Sequence, residues 1–576
     1  MGTGLKEGAA RDYAIVLAGE AGQGIQVIES LLTRAFRREG YHVFSSPEFM
    51  SRIRGGSNST LLRIGAEPVR AWSDRCDLCV AFDQKALAHL GDRIGPATLV
   101  LGDGLKGIEG QQFIDVPLAR LSEAAGGRLF ANTIAAGMIW GLFHAPPETL
   151  EQAVKGVFRG KAAEAIDHNL VAAKSGMDVG RELRRTGRMS LALPPPDSGR
   201  KDLHLTGTEA IALGAMAGGC NFVSFYPMSP STGVASFLAK HGHDFGIIVE
   251  QAEDEICAAT MVLGAWYAGA RALTTTSGGG FALMSEALSL AGVTESPMVI
   301  LLAQRPGPAT GLPTRTEQGD LNLALHAGHG DVPRIILAPG NPQQAFDCAR
   351  DAFRLADAYQ VPVIILTDQY LMDSGVDGEG FQPPDPPFES TAVAAMPGYR
   401  RYALTKNGIS PRAIPGWGAG LVVCDSHEHN EDGHIDETPS TRTEMVDKRL
   451  RKLAAIVENT PPPQWIGPED ATSLVICWGS TREIVLEAVA GPGMERLAVM
   501  HFQQLFPLHG ETGRRLQRVD NLILVEGNAS GQLGQLLRGT WGITCRHRIL
   551  KYNGRQFSVE ELRTRLGEIV AQGEHT

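Results

Sequence analysis

An unbroken apolar run at residues 298–303 constrains the fold of this chain more than any other feature. A run without a polar face predicts a strand that is covered on both sides of a sheet. Comparable runs stand at residues 222–225, 246–249, 272–275, 334–337 and 361–367. Because helical stretches separate most of these runs, the pattern predicts a parallel α/β sheet with helices on both faces.

Proline-rich segments mark the predicted domain boundaries. A chain of 576 residues is typical of about three or four domains. Three consecutive prolines beginning at Pro194 predict a stiff, extended linker, and three more beginning at Pro461 open a last α/β unit. The predicted segments are an α/β domain at 1–190, a linker at 191–202, an α/β domain at 203–397, an insertion at 398–460 and an α/β domain at 461–576.

The charge and hydropathy of the chain exclude several classes of protein. The net charge is −11 and no basic block is present, so we expect no binding to nucleic acid. No stretch approaches about 18 uninterrupted apolar residues, so we expect no membrane span. The amino-terminal segment lacks the apolar core of a secretory signal, and the eight scattered cysteines suit a reducing compartment. We therefore expect a cytoplasmic protein.

Cys76 and Cys79 form a Cys-x-x-Cys pair without a second pair or a nearby histidine. A zinc site or an iron–sulfur cluster needs further ligands. Cys79 also stands in the apolar run at 78–82, so packed thiols are favoured over a metal site. If the protein transfers electrons, the cluster belongs to another chain.

A strand–turn–helix pattern opens the chain. An apolar strand at 13–18 is followed by glycines at 19, 22 and 24, a helix at 26–38 and a second strand at 41–44. The order is Rossmann-like, but the glycines follow G-x-x-G-x-G, and no acidic residue ends the second strand. We therefore do not expect a nicotinamide cofactor.

Arg305 follows the apolar run at 298–303 and opens a loop of glycines, prolines and hydroxyl residues at 305–316. Open α/β sheets bind ligands at the carboxyl ends of their strands, and a guanidinium can grip a carboxylate through two parallel bonds. Arg305 is therefore either a carboxylate-binding residue or a loop cap that pairs with a neighbouring aspartate. The segment alone favours neither interpretation.

Polar residues also follow the strand at 222–225. Ser229 stands before Pro230, an order that fits a helix N-cap with proline in the first turn. The free N–H groups of such a helix end attract anions. An ordinary structural cap is the alternative.

A cluster of acids, including Glu253 and Glu255, leads from the strand at 246–249 into a helix of small residues. The helix dipole stabilises acids in the first turn, which is the structural explanation. Close packing of small residues would also desolvate a carboxylate and prepare it for proton sharing.

Three glycines, Gly278, Gly279 and Gly280, follow the strand at 272–275. Glycines let a backbone and a ligand approach closely. The segment lacks the Gly-Lys-Ser/Thr ending of a phosphate-binding P-loop, so that class of site is not expected.

Several segments of the chain resemble one known family. They are YPMSPST at 226–232, EDEICAA at 253–259, TTTSGGGFALMSEALSLAG at 274–292 and QRPGPATGLPT at 304–314. Together they resemble the pyrimidine-binding domain of the 2-oxoacid:ferredoxin oxidoreductases, which use thiamine diphosphate. GEAGQGI at 19–25 and RIRGGS at 52–57 resemble the gamma domain of that family, and segments 407–416 and 428–435 are similar to its 2-oxoglutarate branch.

The resemblance covers nearly the whole chain, as a fusion of gamma and alpha subunits. It implies an α/β fold of three domains: a Rossmann-like gamma domain at 1–190, a thiamine diphosphate pyrimidine-binding domain at 203–397 and a transketolase C-terminal-like domain at 461–576.

The same resemblance implies the residues that contact thiamine diphosphate. Glu255 would bond the aminopyrimidine ring and favour the tautomer that accepts a proton, with Glu253 as the second choice. Such an acid/base group typically contributes ~10²–10⁴-fold in rate. Pro230 would also contact the cofactor.

For the substrate, the resemblance implies that Arg305 binds the carboxylate of a 2-oxo acid, with the hydroxyls of Ser229 and Thr314 nearby. The family usually has threonine in place of Ser229, a mild change that keeps the hydroxyl. It usually has glycine in place of Pro306, and proline removes a backbone donor beside Arg305.

The gamma-like domain is expected to help hold coenzyme A. The candidate residues are Gly22, Gly24, Arg52, Arg54, Gly55, Gly56 and Ser57. The arginines and the glycine turn between them could meet the phosphates of coenzyme A. A plain basic surface turn is the alternative.

The resemblance also implies partners, because no magnesium, diphosphate or cluster site is expected on this chain. A beta subunit would supply Mg²⁺ and a [4Fe–4S] cluster, in a dimer of alpha–beta heterodimers. The enzyme would convert a 2-oxo acid and coenzyme A to acyl-CoA and carbon dioxide while reducing ferredoxin, or run in reverse. The expected substrate is 2-oxoglutarate.

Other functions stay open. They are a pyruvate or other 2-oxo acid enzyme of the same family, a transketolase-like or dehydrogenase-type thiamine enzyme, and a non-catalytic scaffold that binds coenzyme A. His427, His429 and His434 stand among acids at 425–436. They could bind a metal, but a solvated loop is the favoured interpretation.

Overall fold

The structure is a computed structural model that describes residues 12–50, 56–107, 111–143, 145–188, 191–196, 203–378, 380–381, 388 and 390–573. Two compact units divide the chain: Met1–His204 with Ser374–Glu379, and Leu205–Asp373 with Gly380–Thr576. Among the described residues, no helix combines the length and the apolar character that crossing a bilayer requires. The domain limits inferred from the sequence stay predictions.

The first unit is a mixed sheet with its helices. The strands are β1 (Asp12–Glu20), β2 (His42–Glu48), β3 (Ser57–Gly65), β4 (Leu78–Ala81), β5 (Leu99–Gly102), β6 (Gln112–Asp115), β7 (Leu203–Thr206) and β14 (Gly375–Gly378). The helices are α1 (Ile25–Arg38), α2 (Gln84–His89), α3 (Leu118–Ala124), α4 (Ala131–Leu142), α5 (Pro147–Val157) and α6 (Ala163–Arg185).

The strand order in this sheet is β6-β5-β4-β1-β3-β2-β14-β7. The Rossmann-like start predicted from the sequence is present as β1, a glycine turn and α1. However, β3 lies between β1 and β2 and pairs antiparallel with both. The Cys76 and Cys79 thiols are free and buried, the first just before β4 and the second within it, as the apolar pattern indicates.

The second unit contains three sheets in its described part. The strands are β8 (Phe222–Phe225), β9 (Ile248–Gln251), β10 (Ala272–Thr276), β11 (Met298–Gln304), β12 (Ile335–Leu337), β13 (Pro362–Asp368), β15 (Val393–Ala395), β16 (Ala413–Gly418), β17 (Gln464–Ile466), β18 (Ser473–Trp478), β19 (Leu497–Phe502), β20 (Gln504–Phe506), β21 (Asn521–Glu526) and β22 (His547–Leu550).

Helices cover these sheets. They are α7 (Gly207–Ala217), α8 (Thr232–Phe245), α9 (Glu255–Tyr267), α10 (Gly278–Leu283), α11 (Ser285–Val293), α12 (Leu321–His326), α13 (Pro342–Tyr359), α14 (Gln369–Asp373), α15 (Pro439–Glu458), α16 (Thr481–Val489), α17 (Thr512–Leu516), α18 (Gln532–Trp541) and α19 (Val559–Gly573).

The largest of these sheets has the order β20-β12-β13-β11-β10-β8-β9. Its strands pair in parallel except for β20 at one edge. Every residue of β10, β11 and β13 is buried, which is what a strand covered on both faces requires. The predicted α/β fold class is confirmed. The carboxyl ends of these strands meet at one edge, where ligands bind in such sheets.

A second parallel sheet lies in the carboxyl-terminal part of the same unit. Its order is β17-β19-β18-β21-β22, and only the edge strand β17 runs antiparallel within this described sheet. We refer to residues 461–573 as the C-terminal region. Its apolar core is continuous with that of the larger sheet.

Two buried ion-pair clusters fix the predicted insertion to the larger sheet. In one, both carboxylate oxygens of Glu295 accept from Lys448 at 2.6 and 2.7 Å, and Lys452 lies 2.5 Å from Oε2. In the other, Asp357 pairs with Arg271 at 2.9 Å and with Arg412 at 2.7 Å. Paired burial of this kind is the condition under which charged groups are tolerated inside a protein.

Candidate active site

Glu255 is the first residue of α9 and is buried, with 3% of its surface exposed. The preceding residue, Asp254, caps the helix by accepting from the N–H of Cys257 at 2.7 Å. The cap fixes where the helix begins, and the strand β9 before it fixes where the helix points. The sequence therefore places a carboxyl group at the carboxyl edge of the sheet.

The carboxylate of Glu255 is incompletely satisfied within the chain. Its Oε1 is buried and has no hydrogen-bond partner among the residues that the structure describes. Burying an unpaired carboxylate is costly, so the atom indicates a place where another group donates a hydrogen bond. Glu253, the second choice from the sequence, is exposed.

The glycine turn after β10 is shaped by acidic side chains of this chain. A Cβ atom on Gly280 would lie 2.6 Å from Glu255 Oε1, and one on Gly278 would lie 2.5 Å from Asp320 Oδ2. The sequence interpretation assigned these glycines to the approach of a ligand. The structure shows that Gly278 and Gly280 also make room for two carboxylates.

The loop that begins at Arg305 reaches the same turn. A Cβ atom on Gly279 would lie 4.0 Å from the carbonyl oxygen of Ala309. The glycine turn is therefore the meeting point of Glu255, Asp320 and the Arg305 loop. Glu255 follows β9, the glycine turn follows β10, and the Arg305 loop and Asp320 follow β11.

Arg305 is partly buried, and its Nη1 donates to the backbone carbonyl of Ser229 at 2.9 Å. Burial lowers the pKa of Arg305, while the charge of Asp320 raises it. The hydrogen bond joins the loop after β11 to the loop after β8. It brings together two residues that the sequence predicts to face the substrate.

The prediction that Ser229 is a helix N-cap is wrong. Helix α8 begins at Thr232, and Ser231 occupies the cap position. The N–H groups of Ser231 and Thr232 bond to the carbonyl of Met228 at 3.0 and 3.2 Å. This turn displaces the helix start, so Ser229 lies in the loop before it and its carbonyl accepts from Arg305.

The remaining predicted contacts lie in the same two loops. Pro230 is buried next to Ser229, and Thr314 is partly buried in the loop that Arg305 opens. The structure therefore places Pro230, Ser229, Arg305 and Thr314 on two neighbouring loops. Their contact with a ligand stays a prediction.

Two acids that the sequence analysis missed belong to this site. Burial raises the pKa of Asp320 to about 6, against the opposing charge of Arg305. Burial and the charge of Asp320 raise the pKa of Glu317 to about 7. Perturbed acids in a cleft are typical of functional sites. Both residues stand shortly after the loop at 305–316, so the sequence indicates that they are near it. Their burial, however, depends on the tertiary structure.

Asp320 also has an unsatisfied oxygen. Its Oδ2 is buried, and no described residue forms a hydrogen bond with it. Its backbone N–H donates to Gln304 Oε1 at 2.8 Å, which closes the loop between β11 and α12. A fixed carboxyl with a free oxygen beside Gly278 adds a second acid to the candidate site.

The candidate coenzyme A residues lie in the first unit. Gly22 and Gly24 have φ values of 98° and 78°, which favour glycine, and Gly24 is the cap residue of α1. A Cβ atom on Gly24 would lie 2.4 Å from Asn132 Nδ2. The turn is thus packed against α4.

The rest of this candidate set is only partly described. Gly56 has a φ of 77°, and Ser57 begins β3 and is buried. Arg52, Arg54 and Gly55 lie outside the described residues. The coenzyme A assignment stays a prediction.

The histidine segment differs from its sequence interpretation. His427 is exposed beside Asp425, but His429 is fully buried and its ring lies 3.9 Å from that of Tyr402. The interpretation as a solvated loop is therefore wrong for His429, because the ring packs against the insertion's own aromatic residue. No cluster of metal-ligating side chains occurs among the described residues.

Two family models match the chain. The model described as the thiamine diphosphate-binding domain of pyruvate flavodoxin/ferredoxin oxidoreductases matches residues 213–448. The model described as pyruvate ferredoxin/flavodoxin oxidoreductase matches residues 14–179. The first match contains the loops that carry Ser229, Glu255 and Arg305.

Curated relatives resemble the chain over almost its entire length. The alpha subunit of 2-oxoacid:ferredoxin oxidoreductase 2 from Aeropyrum pernix is 32% identical, covering 98% of both chains. The 2-oxoglutarate oxidoreductase subunit KorA from Mycobacterium tuberculosis is 30% identical, covering 96% of this chain and 90% of the relative.

A solved structure is also similar to the chain over nearly its whole length. It is the 2-oxoglutarate:ferredoxin oxidoreductase from Magnetococcus marinus with 2-oxoglutarate, coenzyme A and succinyl-CoA bound. Its chain superposes with a TM-score of 0.90 at 31% identity, covering 97% of this chain and 100% of that chain. The chain described here belongs to the 2-oxoacid:ferredoxin oxidoreductase family, as an alpha subunit with a thiamine diphosphate-binding domain.

Proposed function

We propose that this chain is the alpha subunit, with a fused gamma domain, of a 2-oxoglutarate:ferredoxin oxidoreductase. The enzyme would convert 2-oxoglutarate and coenzyme A to succinyl-CoA and carbon dioxide, passing two electrons to ferredoxin, or run in reverse. The observation that carries the proposal is the buried, unpartnered Oε1 of Glu255 at the carboxyl edge of the sheet that also presents Arg305.

The residues present fit thiamine diphosphate. A buried carboxylate oxygen without a partner is suited to a protonated ring nitrogen, because the pair removes the cost of the unmade bond. When bound, thiamine diphosphate supplies the nucleophilic carbon that adds to a 2-oxo group and takes up the electrons released with carbon dioxide. Glu255 and Pro230 would hold its pyrimidine ring.

The side chains of this chain would have separate tasks. Glu255 holds and shares a proton with the pyrimidine ring, a role for which water exclusion is favourable. Arg305 binds the carboxylate beside the 2-oxo group through its fork, and Ser229 and Thr314 offer hydroxyls to the same end of the substrate. The bond from Arg305 to the Ser229 carbonyl, 2.9 Å long, orients the guanidinium before substrate arrives.

The choice of 2-oxoglutarate is supported by the relatives. The KorA subunit and the Magnetococcus marinus enzyme carry 2-oxoglutarate in their descriptions. The segments at 407–416 and 428–435 resemble that branch as well. Pyruvate or another 2-oxo acid is the alternative, because relatives named only for 2-oxo acids are equally similar.

Partners complete the proposed enzyme. A beta subunit would bring Mg²⁺, the residues that bind the diphosphate and a [4Fe–4S] cluster, in a dimer of alpha–beta heterodimers in the cytoplasm. The first unit, which matches a family model over residues 14–179, would serve as the gamma domain. It would help hold coenzyme A through the turns at Gly22, Gly24 and Gly56.

Co-expression with the candidate beta subunit tests the proposal. The purified assembly is supplied with thiamine diphosphate, Mg²⁺, coenzyme A and 2-oxoglutarate or pyruvate, and reduction of ferredoxin, viologen or NAD is measured. We expect ferredoxin and viologen to be reduced with 2-oxoglutarate, and NAD not to be reduced. Turnover with pyruvate alone would replace the substrate assignment, and reduction of NAD would indicate a dehydrogenase-type enzyme. No turnover with any 2-oxo acid would favour a scaffold.

A further inference from the structure

Gln318 follows the Arg305 loop (residues 305–316) and contacts the C-terminal region, and only 2% of its surface is exposed. Its side chain is bonded at both ends: Nε2 donates to the carbonyl of Trp478 at 2.8 Å, and Oε1 accepts from the N–H of Gly527 at 2.8 Å. Its N–H donates to the Gly527 carbonyl at 2.7 Å, and its carbonyl accepts from Asn528 Nδ2 at 3.1 Å.

All these partners lie at one edge of the C-terminal sheet. Trp478 is the last residue of β18, and Gly527 directly follows β21. The carboxyl ends of adjacent parallel strands are the usual ligand-binding position of an open α/β sheet. Here the side-chain amide of Gln318, a residue of the same chain, occupies that position.

The residues beside Gln318 make bonds to the same region. The N–H of Thr316 donates to the Gly554 carbonyl at 3.2 Å. Gln532 Nε2 donates to the Gly319 carbonyl at 2.8 Å. Thr316, Gln318 and Gly319 are therefore each bonded to the C-terminal region, whereas a surface loop would be bonded mainly to water.

A short path leads from Gln318 to Arg305. The N–H of Asp320 donates to Gln304 Oε1 at 2.8 Å, and Gln304 Nε2 donates to the Thr367 carbonyl at 3.0 Å. Gln304 directly precedes Arg305, so the bond between Asp320 and Gln304 joins the two ends of the segment that contains Arg305 and Gln318. The position of Gln318 thus limits where Arg305 can lie.

We infer that Gln318 is a positioning residue for 2-oxo acid binding. It holds the Arg305 loop in the conformation that accepts the substrate carboxylate, with the C-terminal region as the rigid support. The inference rests on the proposed function, in which Arg305 binds that carboxylate. It gives the C-terminal region a role in substrate recognition.

Gln318→Met tests the inference in the assembly of this chain with its beta subunit. Methionine keeps the volume of the side chain but removes both amide bonds. Because a misplacement of about 1 Å can cost ~10²-fold, we expect KM for the 2-oxo acid to rise about 10-fold to 100-fold, with a smaller change in kcat. The dissociation constant of thiamine diphosphate should stay unchanged, since Glu255 lies on α9, outside this network.

Asn322→Ala is the matched control. Its Nδ2 makes an exposed bond to Gln535 Oε1 at 3.3 Å on the same side of the loop, and the alanine variant should keep the kinetics of the unchanged enzyme. An equal loss of affinity for thiamine diphosphate and for the 2-oxo acid in Gln318→Met would overturn the inference. It would indicate that the substitution disturbs the whole site and not the Arg305 loop alone.

A double-mutant cycle with Arg305→Met distinguishes the positioning role inferred for Gln318 from the substrate-binding role proposed for Arg305. If Gln318 acts through Arg305, adding Gln318→Met to Arg305→Met changes kcat/KM by less than twofold. Additive effects would overturn the positioning role. An unchanged KM in Arg305→Met would instead overturn the proposed role of Arg305, whatever Gln318→Met does.

Gln532→Leu covers the case in which Gln318→Met does not assemble. It removes the bond to the Gly319 carbonyl and the bond that the Asn322 N–H makes to Gln532 Oε1 at 2.9 Å. The expected result is again a rise in KM with unchanged affinity for thiamine diphosphate. Unchanged kinetics in an assembled Gln532→Leu enzyme would count against the inference.

Discussion

Two buried glutamates in the second unit differ in whether their carboxylate oxygens are paired. Glu295 is 1% exposed and Glu255 is 3% exposed. Both oxygens of Glu295 accept from lysines, and this pairing holds the pKa of its carboxyl at about 2. Glu255 Oε1 has no hydrogen-bond partner in the described part of the chain. The paired glutamate stabilises the fold, whereas the unpaired oxygen of Glu255 leaves a position that a ligand could fill.

Two buried aspartates, Asp357 and Asp320, show the same contrast between paired and unpaired oxygens. Asp357 is paired with two arginines between the sheet and the insertion. Asp320, beside the glycine turn, retains an unpartnered Oδ2, and burial raises the pKa of its carboxyl to about 6. Functional sites commonly reduce stability in this way. Replacing a paired acid should therefore change stability, whereas replacing an acid of the proposed site should change activity or relieve a cost of burial.

Glu255→Gln should have the largest effect. Glutamine keeps the shape but cannot share a proton as a carboxylate does, so we expect turnover to fall by about 10²–10⁴-fold. Assembly with the beta subunit and the thermal unfolding midpoint should change little. Steady-state viologen reduction and calorimetry measure the two properties.

Glu253→Gln is the matched control, because Glu253 is exposed two residues earlier in the same segment. Its turnover should equal that of the unchanged enzyme. Normal turnover in Glu255→Gln would remove Glu255 from the catalytic site, and loss of turnover in Glu253→Gln would transfer the assignment to Glu253.

Glu295→Gln should reduce stability without changing the chemistry. The substitution leaves Lys448 and Lys452 buried without their acid, which typically costs about 3–5 kcal/mol. Hydrogen exchange should increase in α15, while activity per folded molecule is retained. Glu286→Gln, an exposed change on the helix before Glu295, should leave the midpoint unchanged.

The stability supplied by Glu295 also has a predictable pH dependence. Its pKa is lowered from 4.5 to about 2 in the folded protein. The contribution is therefore fully present above about pH 4.5 and is lost as the pH falls towards 2. The difference in midpoint between the unchanged protein and Glu295→Gln should shrink over that range, and a constant difference would contradict the ion-pair explanation.

Asp320→Asn should increase stability at neutral pH, in contrast to Glu295→Gln. The pKa of Asp320 is raised from 3.8 to about 6, so its cost is absent below about pH 4 and complete above pH 6. Removing the charge should stabilise the chain by about 1–3 kcal/mol at pH 8. Thermal unfolding at pH 5 and pH 8 measures the gain, which should be smaller at pH 5.

Asp331→Asn is the control for that experiment, since Asp331 is exposed and its replacement should have little effect at either pH. A loss of stability in Asp320→Asn at pH 8 would show that the Asp320 carboxylate is satisfied in the folded protein. Asp320 would then be an acid that stabilises the fold, as Glu295 is.

Arg305→Lys should have the smallest effect of the four. Lysine keeps the positive charge but cannot form the two parallel bonds of a guanidinium, so we expect kcat/KM for the 2-oxo acid to fall about tenfold. The change should lie mainly in KM. Arg354→Lys, at an exposed position, is the matched control, and identical kinetics in both variants would remove Arg305 from the substrate site.

Much of the fold could be predicted from local sequence. Strand β8 matches the apolar run at 222–225 at both ends, and α9 begins where the acid cluster indicates. Periodicity and apolar runs report burial directly, which explains this agreement. The shift of β9 to Ile248–Gln251 has a local cause, because Gly246 adopts a left-handed conformation as the C-cap of α8.

The site was predicted less completely. Local motifs and the family resemblance selected Glu255, Ser229 and Arg305 as candidates, but not Asp320 or Gln318, because the interactions of these two depend on partners distant in sequence. The cap assigned to Ser229 failed for a similar reason. The Met228 carbonyl competes for the N–H groups of the next turn, and no residue pattern records that competition.

The sequence by itself determined the alternation of strands and helices and the polar residues at each strand end, since these follow from spacing and side-chain chemistry. Only the tertiary structure decided which carboxylates are paired. Lys448 and Lys452 reach Glu295 across about 150 residues of chain, whereas Glu255 Oε1, which lies against Gly280, has no hydrogen-bond partner among the described residues. Pairing is a property of three-dimensional proximity, and pairing distinguishes the acid that stabilises the fold from the acid proposed to bind the cofactor.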